Sequence, residues 1–221
     1  MISEKGLCKI LKFAYKGAGY TIIPQVIQQD SPAGRWRRNE IIINGATWAV
    51  RCETVDLPSE AAVQIVKDAG YLPVEAMNIQ KGAPNRLVLE EVAEQRHDLL
   101  RRQNTDAVPM RQIPVIFRER WQLYQTEEGK VYAFDQELLK LIDFKAVEPS
   151  AAMTADGHLG LFTWGGSAVY LAPGRFSRAD EERILYIAGL DWENQISAND
   201  PVANVSLFDM DRDEPLAERE E

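Results

Sequence analysis

Residues 40–52, EIIINGATWAVRC, set the fold class. Two apolar runs rich in β-branched and aromatic side chains meet at Asn44-Gly45, the strongest short hairpin signal in the chain. An antiparallel pair is therefore expected at the centre of the first half. On its C-terminal side Leu57-Pro58-Ser59 reads as a helix entry, and residues 60–69 as a helix that ends at Gly70. Ala62, Ile65, Val66 and Ala69 are predicted to share its buried face. On the N-terminal side residues 30–39, DSPAGRWRRN, read as a loop that places Arg35, Arg37 and Arg38 around Trp36. Residues 20–28, YTIIPQVIQ, read as a strand, with Pro24 demoting it to an edge or a bulge.

The chain opens on residues 3–17, SEKGLCKILKFAYKG. Lys5, Lys9, Lys12 and Lys16 recur at steps of four, three and four. At about 100° per residue they share one side of a helix, with Leu7, Ile10, Leu11 and Ala14 on the other. Such a stripe is either a solvated helix face that happens to be lysine or a rail for a polyanion.

Beyond Gly70, residues 71–80 read as a strand, 81–85 (KGAPN) as a turn and 86–102 as a helix. That helix carries the apolar stripe Leu89, Val92, Leu99, Leu100 and a basic end of Arg96, Arg101 and Arg102. Residues 103–111 are a polar linker. Strands are predicted at 113–125 and 130–134, and Asp135 caps a short helix at 136–142. Strands follow over 145–172, where Asp156-Gly157 and Gly165-Gly166 make tight turns and LGLFTW pairs antiparallel with SAVYLA. Ser177 caps a last helix at 178–188.

The expected architecture is α+β, antiparallel sheets backed by a few short helices. A strand hairpin followed by a short helix occurs at 40–69 and again at 114–142, which suggests two related halves. The division is a first α+β half at 1–105, a second at 106–189, and an acidic, flexible tail at 190–221.

Charge is unevenly spread. From residue 190 onward ten acidic side chains face two basic ones, so all but one unit of the net charge of −9 sits in the tail. A near-neutral body leaves room for a nucleic-acid partner at a local basic patch. No apolar run approaches the ~20 residues of a membrane span, and no signal peptide is recognised. Cys8 and Cys52 are the only cysteines and read by default as buried thiols of a reduced cytoplasm, with a disulfide between them as the alternative that nothing requires.

Catalytic signatures are missing. His97 and His158 are far apart with no cysteine beside either, which argues against zinc. No phosphate-binding loop, dinucleotide fingerprint or nucleophile elbow is present. Asp209, Asp211 and Asp213 imitate a calcium loop, but Glu214 stands where glycine is needed and Pro215 follows. No enzyme activity, metal or cofactor is predicted. The basic elements lead instead: Lys5, Lys9, Lys12 and Lys16, then Arg35, Arg37 and Arg38, with Trp36 placed to stack on a base. In the tail Val205, Leu207 and Phe208 form an apolar island within NVSLF, either a docking peptide or a final strand of the core.

The order of these elements resembles the DNA polymerase sliding clamps, particularly divergent clamp-like proteins of mobile elements. The likeness is carried by the lysine-bearing first helix, the IIP strand, the hairpin with its Leu57-Pro58-Ser59 helix, then VYAFDQELLKLI and the strand pair closing on VYLAP. It implies a ring lined by basic helices, DNA contact through Lys5, Lys9, Lys12 and Lys16, and assembly as a homo-oligomer or with replication proteins. NVSLF is similar to the short peptide by which bacterial polymerases and loaders hold their clamp, with Asn204 where glutamine is usual and Val205 where leucine is usual. The leading expectation is thus a cytoplasmic, non-enzymatic, clamp-like accessory protein of DNA replication bound to duplex DNA, away from any membrane. The alternative is an adaptor or inhibitor that engages a partner protein through its acidic tail without touching DNA.

Overall fold

Three meanders, laid side by side, make up most of the sheet in the computed structural model, which describes residues 1–31, 34–102, 106–190 and 192. The first contains β1 (Tyr20–Ser31), β2 (Gly34–Asn44) and β3 (Trp48–Glu53). The second contains β6 (Val108–Phe117), β7 (Trp121–Thr126) and β8 (Val131–Asp135). The third, β9 (Ser150–Met153), β10 (Gly160–Trp164) and β11 (Ser167–Leu171), fills the space between them, with β11 against β3 and β9 against β6. Two short strands, β4 (Met77–Ile79) and β5 (Arg86–Leu87), extend the outer side of β1. The order across this eleven-stranded antiparallel sheet is β5-β4-β1-β2-β3-β11-β10-β9-β6-β7-β8. Five helices accompany it among the described residues: α1 (Glu4–Lys16), α2 (Ser59–Ala69), α3 (Glu90–Arg102), α4 (Gln136–Leu139) and α5 (Arg178–Ala188). The fold is α+β. Met1–Ala188 form one compact unit, and a second unit begins at Gly189.

β2 and β3 form the expected hairpin at Asn44-Gly45, but through a longer connection than the two-residue turn this dipeptide signals: Asn44 stays in the strand and pairs with Ala49, Gly45 N donates to Trp48 O at 2.9 Å, and neither residue takes the positive φ of such a turn. A Cβ on Gly45 would lie 2.4 Å from Trp48 Nε1, so the indole occupies the place of a side chain there. Ile41, Ile42 and Ile43 are all buried because both sheet faces are covered. Alternate residues serve different cores. Ile22, Ile41, Ile43, Val50, Phe162 and Val169 pack with Leu7, Ile10, Leu11 and Ala14 of α1. Ile23, Ile42, Ala49, Leu161, Ala168 and Tyr170 face Ala93 and Leu100 of α3 on the other side. Tyr170 Oη donates to the Leu100 carbonyl at 2.9 Å, which ties that helix to the sheet.

Several elements depart from their sequence reading. Residues 30–31 and 34–39, read as part of a loop, are strand. They continue one long hairpin whose pairing runs from Thr21↔Asn44 to Ser31↔Gly34. The sequence of its distal part, QQDS in β1 and GRW in β2, carries no hydrophobic period, so ladder pairing defines it. Pro24 fits because β4 pairs only with Tyr20, Thr21 and Ile22, leaving the β1 edge open where proline lacks its N–H. The strand read at 71–80 shrinks to β4, since Pro73 cannot donate to a ladder. The helix read at 86–102 gives its first residues to β5 and starts at Glu90. The single strand read at 113–125 is a hairpin: Arg118 and Glu119 turn the chain at φ 51° and 54°, without the glycine or asparagine that announces such turns. The short helix after Asp135 is four residues long, and Asp135 caps it by accepting from Glu137 N at 2.8 Å. Finally, α2 is rotated from its predicted face. Ala61, Gln64, Ile65 and Ala69 are buried, Ala62 is half-buried, and Val66 is exposed. Polar contacts set that rotation: Gln64 Nε2 and Tyr20 Oη both donate to the Asp68 carboxylate, at 2.7 and 3.0 Å.

Candidate nucleic-acid interface

The first helix is held by its ends and sides, so the direction of its lysines is fixed. Ser3 caps it, Oγ accepting from Gly6 N at 3.2 Å, with Glu4 in its first turn and Lys16 in its last, as the helix dipole favours. Leu7 and Leu11 are fully buried, and Ile10 and Ala14 nearly so. On one flank Glu4 Oε1 accepts from Ser59 Oγ (3.0 Å) and Glu60 N (3.1 Å), supplying the N-terminal cap that Pro58 cannot give α2. On the other flank the chain after α4 passes under α1. Ile2 bridges Ile142, Ser3 N donates to Leu141 O at 2.8 Å, and Gly6 rests on the Lys140 carbonyl. A Cβ on Gly6 would stand 1.8 Å from that oxygen, so the close approach requires glycine.

With three sides engaged, the fourth faces solvent: Lys5, Lys9, Lys12 and Lys16 are all exposed. The α4 connection adds two cations that the sequence reading missed. Lys140 and Lys145 line a cleft of about 380 Å³ together with Lys5, Lys9 and Asp143. Only a contact between residues more than a hundred positions apart brings them to α1, and no local pattern signals it. Glu137 sits between the two groups. It binds Lys9 Nζ at 2.6 Å and also Lys140. Hydrogen bonds from Lys140 and then Lys9 hold its carboxyl down to about 2. Glu137 therefore stays anionic throughout the neutral range and orders two lysines while offsetting one unit of their charge.

The arginines of the β1–β2 hairpin divide. Arg37 is exposed and, by strand alternation, belongs to the face that α1 covers. Arg38 projects to the opposite face, where it binds Glu40 and lies 3.4 Å from Glu53 Oε1. Arg51 Nη1 stands 3.6 Å from the same fully buried Glu40 carboxylate. Arg38 is thus part of an internal ion cluster and is separated from the lysine face by the sheet. Arg35 lies in β2 between Gly34 and Trp36. Val205, Leu207 and Phe208 lie outside the described residues.

Cys8 and Cys52 are free thiols, both buried. Burial, and next the nearby Asp56 carboxylate, push Cys52 up to about 12. No helix among the described residues is long and apolar enough to cross a membrane. Comparison with known proteins finds no family model, curated protein or solved structure that matches this chain.

Proposed function

We propose that this chain is a non-enzymatic, clamp-like accessory protein of DNA replication that holds duplex DNA through the lysine face of α1. One observation carries the reading: Lys5, Lys9, Lys12 and Lys16 are all exposed on a helix whose other sides are engaged, and Lys140 and Lys145 join Lys5 and Lys9 around one cleft. A fixed cluster of ammonium groups neutralises phosphates without reading bases, which suits a protein that must tolerate any sequence. Arg37, exposed on the same face of the sheet, extends the basic surface. Arg38 is removed from the contact set because Glu40 and Glu53 already hold it. The protein acts in the cytoplasm, with duplex DNA, replication proteins and further copies of itself as partners.

Fluorescence anisotropy with a duplex of about two helical turns tests the reading. Saturable binding at low salt is expected, weakening at least tenfold when Lys5, Lys9, Lys12 and Lys16 all become glutamine. Absence of binding at low salt, or binding indifferent to those four changes, overturns it. Assembly into a ring predicts a homo-oligomer by light scattering and closed particles by negative-stain imaging; a monomer at all concentrations removes the ring and leaves only the DNA contact.

A further inference from the structure

The outer edge of β1 is paired over only part of its length. β4 covers Tyr20, Thr21 and Ile22, and among the described residues no strand lies on that side of β1 from Ile23 onward. Pro24 fixes which backbone groups face the open side. A proline within a strand stands where its missing N–H would point away from the ladder, so Pro24 turns its backbone away from β2. Backbone direction alternates along a strand, so Val26 presents both its N–H and its C=O to the open edge. Such an edge is a template for one more strand.

A cleft of about 900 Å³ lies along this edge. β1 from Ile23 to Ile27 lines it, together with Glu90, Glu94 and Asp98 of α3, Leu87 of β5, and Val74 and Glu75 before β4. Two features state what it would hold. The first is charge of a single sign: these carboxylates line the cleft, and no lysine, arginine or histidine does. Glu90, Glu94 and Asp98 follow at steps of four along α3, a spacing at which like charges repel. Glu75, Glu90 and Glu94 form no ion pair among the described residues. The second is exposed apolar surface, at Val26, Val74 and Leu87. Walls of this sign disfavour an acidic segment, and they disfavour the same edge of a second copy. They attract a segment that alternates cationic and apolar side chains, and its main chain can complete the ladder. We propose that the open edge of β1 is a docking site for an extended, basic peptide segment of a partner protein, which adds as a strand beside Pro24 and Val26 with its cations toward the carboxylates. The site shares none of its residues with the lysine face, so it is tested apart from the DNA contact.

The probe is a fluorescein-labelled peptide of alternating lysine and valine, about six residues long, titrated into the full chain at about 150 mM salt and read by anisotropy. Saturable binding is expected. Val26→Pro removes the edge N–H and should weaken binding about tenfold or more, while duplex DNA binding is unchanged. Glu75, Glu90 and Glu94 all changed to glutamine should weaken it by a similar factor and flatten its salt dependence. The same peptide with its valine amides N-methylated keeps every charge but loses ladder donors, and should bind at least tenfold more weakly to the native chain; this arm needs no variant to fold. Hydrogen exchange at the Val26 amide should be fast in the free chain and slowed by the peptide. No saturable binding up to about 1 mM overturns the proposal. So does indifference to N-methylation, which would reduce the contact to charge alone. A Val26 amide already protected in the free chain also overturns it, because the edge would then be covered by this chain or by a second copy.

Discussion

Two groups of cations lie on opposite faces of one sheet and have different fates. On the α1 face, Lys5, Lys9, Lys12 and Lys16 stand in water, and among the described residues only Lys9 has a carboxylate partner, itself exposed. On the α3 face, Arg38 and Arg51 surround a Glu40 carboxylate with no exposed surface. The first group is available to an external polyanion. The second is already neutralised, and its work is internal. A cation count cannot separate the two cases. What separates them is whether the fold provides the counter-charge, and at Arg38 strand alternation brings Glu40 to the same face two residues on.

The largest effect should come from breaking the buried cluster. Glu40→Ala leaves two largely buried guanidiniums without their shared carboxylate and is expected to cost about 3–5 kcal/mol in urea denaturation. Changing all four α1 lysines to glutamine should move stability by no more than about 1 kcal/mol while removing DNA binding. A small loss in the Glu40 variant, or a large one in the lysine variant, would abolish the distinction between the two faces.

Next in size is Gly6→Ala. A methyl group there collides with the Lys140 carbonyl, and overpacking of this kind costs about 1–3 kcal/mol. Because α1 must move away from the α4 connection, the same variant should also weaken DNA binding, although it removes no charge. Unchanged stability would mean that α1 sits farther from Lys140 than described here.

The effect of Glu137→Gln is smaller and opposite in sign. It frees Lys9 and Lys140 from their shared carboxylate, so duplex affinity should rise a few-fold while stability stays within about 1 kcal/mol, since the pair is exposed. The folded-state value of Glu137 is depressed, so its stabilising contribution is present above the ordinary carboxylate value near 4.5 and is lost as pH falls from there toward about 2. Duplex affinity should therefore be flat from pH 6 to 8 as far as Glu137 is concerned. Titration of affinity against pH checks this; a midpoint near 5 assigned to Glu137 contradicts it.

Smallest is the effect at Cys52. Its raised value means the folded state keeps the thiol protonated where an unfolded chain ionises, so its contribution is complete below about 9 and is lost as pH rises from there toward about 12. Native protein at pH 8 should resist alkylation at Cys52 until unfolded, which mass spectrometry reads directly.

What was legible in the sequence was local. The hairpin at Asn44-Gly45, the Gly165-Gly166 turn, the Asp135 cap and the opposed sides of α1 each rest on neighbours in the chain and stand where the residues indicated, although the first hairpin turns through more residues than its dipeptide signals. What was hidden depends on distant pairing. The Arg118–Glu119 turn carries no turn residue, so its hairpin was read as one strand. Lys140 and Lys145 join the lysine face only because Gly6 lets α1 sit on the α4 connection. The open edge at Pro24 and Val26 depends on how far β4 pairs along β1, and β4 is too short to show any period.

The salt dependence of duplex binding tests the central claim most directly. With log K plotted against log salt, the native chain should give a steep negative slope of about 0.9 per phosphate neutralised, and the variant with Lys5, Lys9, Lys12 and Lys16 changed to glutamine should lose about 3 to 4 of it. Equal slopes for the two proteins would contradict DNA contact through α1.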